Sequence, residues 1–95
     1  MGLFGNKDVK QLDRELMTLY MALRLGASAS DSPDQFADGV RSAESDAVAQ
    51  ATRAHSAGKG RDVAEIVSKM RAKPLDGDAR AQFDHVLNQV EAAIA

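Results

Sequence analysis

The chain has 95 residues, 44% of them hydrophobic but only four aromatic, with a net charge of −2 and no cysteine. A single domain of that size builds its core from Leu, Val, Ile, Met and Ala, and the lack of thiols excludes a disulfide framework and thiolate metal sites. No apolar run approaches the roughly 18 residues of a membrane span and the N-terminus lacks a signal-peptide core, so no transmembrane segment and a cytoplasmic location are expected.

Apolar residues recur at helical spacing along the chain, and no stretch alternates as a strand does. The expected fold is all-α: a small four-helix bundle over residues 1–95, with helices at about 7–25, 33–57, 61–72 and 77–94. Residues 1–6 and 27–32 are expected to be flexible. In the opening "MGLFGN", position 6 is Asn where a myristoylation signal has Ser or Thr. Leu3 and Phe4 can staple the start of the first helix, or contact a partner or a membrane surface.

In the first helix Val9, Leu12, Leu16, Leu19, Tyr20 and Leu23 share one face, and Gly26 is placed to end it. A second apolar strip, Met17, Met21 and Leu25, lies well over 80° away among Lys10 and Arg14. Either this helix is buried on two sides, or the strip is a surface for a second copy or another protein. Methionine suits such a surface because its flexible thioether adapts to irregular shapes.

The second helix opens with a capping box and a proline start, Ser32, Pro33 and Gln35. Its inward stripe is Phe36, Val40, Ala43, Ala47 and Ala54, with Ala51 nearby. The stripe is small beyond its first turn, so it buries little area per residue. Gly39 costs roughly 1 kcal/mol relative to Ala. This is expected to be the least stable of the long helices.

The segment "AHSAGKG", residues 54–60, joins the second and third helices and holds His55 and Lys59. A phosphate-cradling loop would need a further glycine upstream, a strand before it, and Ser or Thr after the lysine; Gly60 follows Lys59 here. A histidine phosphotransfer domain is also a small four-helix bundle. Its histidine is followed by Lys and Gly at the third and fourth positions, against the fourth and fifth here. A helix-turn-helix motif is matched loosely by Ala54, Gly58 and Val67, with Arg61, Lys69 and Arg71 on the following helix to meet phosphate or base edges. The plainest reading is punctuation: glycines that end one helix and permit a tight turn, with His55 and Lys59 favoured at a helix C-terminus by its dipole.

The third helix buries Val63, Ile66, Val67 and Met70, and Pro74 stops it. Asp76 or Asp78 is the expected N-cap of the fourth, which carries Ala79, Phe83, Val86, Leu87, Val90 and Ile94 on one side. Charge is uneven along the chain. Residues 58–73 hold five basic and two acidic groups, whereas 27–57 hold two and five, and 74–95 one and four. Such faces either complement each other inside the bundle or leave a basic contact surface.

Nothing in the pattern makes a catalytic constellation. Two histidines, His55 and His85, without a carboxylate set are a poor metal site. Glu44 and Asp46 fall on different helix faces, and the serines of "ASASDS" lack a nucleophile's context. The expectation is a non-enzymatic protein without cofactor or metal: an interaction module of adaptor, inhibitor, immunity or assembly-subunit type. The candidate partner-binding residues are Met17, Met21, Leu25, Arg61, Lys69 and Arg71. The rival reading is a DNA-binding helix-turn-helix protein using the basic 59–73 segment.

Overall fold

The computed structural model describes residues 7–26 and 33–95. Four helices follow one another: α1 (Lys7–Leu25), α2 (Pro33–Ser56), α3 (Gly60–Arg71) and α4 (Gly77–Ala93). All bounds fall within one residue of the periodicity reading, the usual latitude of helix ends. The expected flexibility of 1–6 and 27–32, and the Ser32 cap, lie outside the described residues.

The order is up-down-up-down. Arg53, near the end of α2, reaches Asp8 at the start of α1 at 3.0 Å, so these two helices are antiparallel. Lys69 of α3 meets Asp13 at 2.7 Å. A little further along, the Tyr20 hydroxyl donates to the Pro74 carbonyl at 3.0 Å, so α3 runs in α1's direction. α4 returns beside α2, with Ala79 near Phe36 at one level and His85 beside Glu44 lower down. The chain is therefore a small all-α four-helix bundle, with no strand among the described residues. None of the four helices is long and apolar enough to cross a membrane.

The core is the set that helical spacing picks out. Leu12, Leu16, Val63, Ile66, Val67, Met70, Phe83, Val86, Leu87 and Val90 are buried together with Val9, Leu19, Tyr20 and Leu23. Tyr20 and Phe83 pack with ring centroids 5.8 Å apart, and Lys73 lies 5.4 Å over the Tyr20 ring. The two halves of α2 differ. Ala47, Ala51 and Ala54 are fully buried, whereas Phe36, Val40 and Ala43 only lean on the core. A groove of about 240 Å³ runs beside Leu19, Phe36 and Val40. Another, of about 480 Å³, separates Val40 and Glu44 from His85 and Val86.

The α2–α3 turn answers the question "AHSAGKG" raises about local structure. Gly58 has φ +80, the left-handed conformation that glycine adopts without strain. The Lys59 N–H donates to the Ala54 carbonyl at 2.9 Å and the Gly58 N–H to the His55 carbonyl at 3.0 Å. This nested pair is the Schellman arrangement that satisfies the last carbonyls of a helix. Gly60 is close-packed for a different reason: a Cβ there would lie 2.9 Å from His55 Nδ1, so the exposed imidazole would have to move.

The α3–α4 connection is closed by one side chain. The Arg80 guanidinium donates to the carbonyls of Leu75, Arg71 and Lys73 and to the Asp84 carboxylate. It thereby ties off carbonyls at the end of α3 that no helix turn satisfies. Asp76 takes the N-cap position of α4, as one of the two sequence candidates, but its side chain makes no capping bond.

Candidate docking surface

α1 faces the core with one side and solvent with the other. At 3.6 residues per turn, Lys7, Lys10, Arg14, Met17, Met21, Arg24 and Leu25 fall within an outer arc of about 100°. The arc contains no acidic residue. It is also graded along its length: the three cations Lys7, Lys10 and Arg14 come first, and Met17, Met21 and Leu25 follow with Arg24 among them.

The three apolar members differ in burial. Met17 is half-buried and packs against the core. Met21 is 47% exposed and Leu25 67%, and among the described residues they are the exposed large hydrophobics. The strip thus emerges from the core at Met17 and ends fully in solvent at Leu25.

The cations of α1 also stand apart electrostatically. Lys7, Lys10, Arg14 and Arg24 make no ion pair among the described residues, whereas Arg41, Arg53, Lys69, Arg71 and Arg80 all do. Lys7 and Lys10 also sit at the start of α1, where the helix dipole presents its positive end and disfavours cations. The acid in that turn, Asp8, faces away from the arc and bonds Arg53. An arrangement made for stability alone would place acids where these lysines are.

No family model, curated protein or solved structure matches this chain. Its surface is therefore read from its own chemistry.

The basic third helix is organised differently. Lys69 bonds Asp13 at 2.7 Å. Arg71 bonds Asn88 at 2.7 Å, pairs with Glu91, and lies 3.8 Å from Asp84. Both cations stitch α3 to its neighbours. Arg61 is exposed and unpaired among the described residues, at the start of α3. The six candidates thus divide: Met17, Met21 and Leu25 share one surface, Lys69 and Arg71 join α3 to its neighbouring helices at the surface, and Arg61 stands alone among the described residues. Lys7, Lys10, Arg14 and Arg24 belong to the α1 arc but were not among the candidates, although the same 100° spacing that assigned the core stripe also places them.

His85 Nε2 is 3.2 Å from Glu44 Oε1 across the α2–α4 groove. Burial, and secondarily the nearby Asp46, hold the Glu15 carboxyl above its ordinary pKa at the α1–α2 contact. No group of three metal-ligating side chains occurs among the described residues.

Proposed function

We propose that this protein is a non-catalytic interaction module that docks on another protein through the outer face of α1. The observation that carries this reading is the coincidence, on one helix face, of the exposed Met21 and Leu25 with four cations that make no ion pair among the described residues. Apolar side chains rimmed by charge are the usual make-up of a docking surface. Fully covering the two apolar residues would contribute roughly 1.5–3 kcal/mol each from area removed from water. The half-buried Met17 would give the contact a rigid inner edge.

The rival reading, duplex DNA on α3, has to do without Lys69 and Arg71 unless they leave Asp13 and Glu91. Affinity for nucleic acid rests largely on neutralising phosphates, so engaged cations weaken that case.

Photo-crosslinking in the native host separates the two. A photoreactive phenylalanine analogue replaces Met21 in one variant and Ala64, exposed on α3, in another. The docking reading expects a discrete protein adduct from position 21, lost when Leu25→Glu is added, and none from position 64. A nucleic-acid adduct from position 64 with nothing at 21 would reverse the assignment.

A further inference from the structure

Resting on that docking reading, we infer that the partner presents an acidic amphipathic helix, lying along α1 with its carboxylates over Lys7, Lys10 and Arg14 and its apolar residues over Met21 and Leu25. Charge complementarity carries the inference. The first half of the outer face is purely cationic and the second half mainly apolar, so the face has a polarity that a matching segment reads in one register. The lysines at the start of α1 act against the helix dipole with no ion-pair partner among the described residues, which is the cost a binding surface accepts.

Among the described residues, a second copy of this chain does not meet these requirements. A two-fold contact between α1 outer faces gives those cations no carboxylate: a parallel pair lays cations against cations, an antiparallel pair lays them over Met21, Leu25 and Arg24, and the arc contains no acid. Among the described residues a head-to-tail contact finds no second exposed large hydrophobic beyond Met21 and Leu25 themselves, and would have to seat them in the groove beside Phe36 and Val40. An anionic membrane would receive the cations. A flat membrane, however, engages an interfacial helix through an apolar stripe along its whole length, and here the apolar part occupies one half. Those features favour a shaped protein segment over a lipid surface.

The test uses the full chain and a displayed library of helical peptides about 18 residues long, enough to match α1's reach at 1.5 Å per residue. Apolar positions are fixed at helical spacing, and all other positions vary among Glu, Lys, Gln and Ala. The inference expects enriched peptides to be acidic, with Glu concentrated in one half. Their affinity should fall as salt rises. Binding to Lys10→Glu/Arg14→Glu should weaken about tenfold or more, since like charges then face each other. Enriched peptides that are neutral or basic yet are blocked by Leu25→Glu would overturn the acidic partner while leaving the docking surface standing. Enrichment that survives both sets of substitutions would overturn the surface as well. So would an absence of enrichment together with co-sedimentation of the chain on phosphatidylcholine–phosphatidylserine vesicles.

Discussion

Lys10 of α1 and Lys69 of α3 belong to amphipathic helices of the same bundle, and each lies on the polar side of its own helix. In the folded chain they have different occupations. Lys69 reaches across to Asp13 and joins two helices; Lys10 points away from the bundle with no acidic partner among the described residues. The same contrast separates Arg71, held by Asn88 and Glu91, from Arg14. A cation's role follows from whether the fold brings a carboxylate to it, and local composition does not reveal that. Within the basic segment 58–73, the densest in the sequence, Lys69 and Arg71 are taken up by contacts between helices, while the sparser cations of α1 face outward.

The sharpest way to break this contrast is to compare the two faces of α1 directly. Leu16→Ala on the inner face, and Phe83→Ala opposite, should each lose about 2–5 kcal/mol in urea unfolding, because both side chains are completely buried. Met21→Ala and Leu25→Ala on the outer face should each change stability by less than about 0.5 kcal/mol. Comparable losses on both faces would make the outer strip part of the core and remove the docking surface.

A second comparison concerns the two glycines that flank Lys59. Gly58→Val forces a β-branched residue into the left-handed region and should cost roughly 1–3 kcal/mol by thermal unfolding. Gly60→Ala meets only the imidazole of an exposed His55 that can swing aside, so its loss should be several-fold smaller. Equal losses would mean that the His55–Gly60 contact is as rigid as the backbone turn.

The smallest effects come from the charges themselves and have opposite signs on the two helices. Lys69→Ala, which removes a partner of Asp13 at the surface, should cost about 0.2–1 kcal/mol, and Lys10→Ala close to nothing. Lys7→Glu should stabilise by about 0.3–1 kcal/mol at low salt, since an acid at the first turn of α1 favours the dipole. Melting curves at low and high salt read all three. A loss of stability in Lys7→Glu would show that the lysine has a structural partner after all.

These comparisons mark where sequence reading succeeds and where it stops. The helices were legible because apolar spacing, Pro33, Gly58 and Pro74 report backbone physics that is local to each segment. The α1 strip was legible as apolar for the same reason, but its status was not. Whether Met17, Met21 and Leu25 are covered depends on which helices stand beside α1, a long-range fact. The structure divides the strip, with Met17 against the core and the other two in solvent. Lys69 and Arg71 were placed on a contact surface because their partners Asp13 and Glu91 lie 56 and 20 residues away, beyond any local pattern. The small residues beyond the first turn of α2 did not foretell its packing: Ala47, Ala51 and Ala54 are fully buried, while the larger Phe36 and Val40, near Gly39, only lean on the core beside grooves that no local pattern showed.

The central claim is that the outer face of α1 binds and does not fold the chain. Its most direct test is Met21→Glu/Leu25→Glu, measured side by side for melting temperature and for affinity toward the protein captured by crosslinking at position 21. Both residues are exposed, so the charges should leave the melting temperature within a few degrees of the parent. In a buried contact the same charges are costly, and affinity should fall by about a hundredfold or more. A variant that melts far below the parent, or one that keeps both its stability and its affinity, would contradict the account.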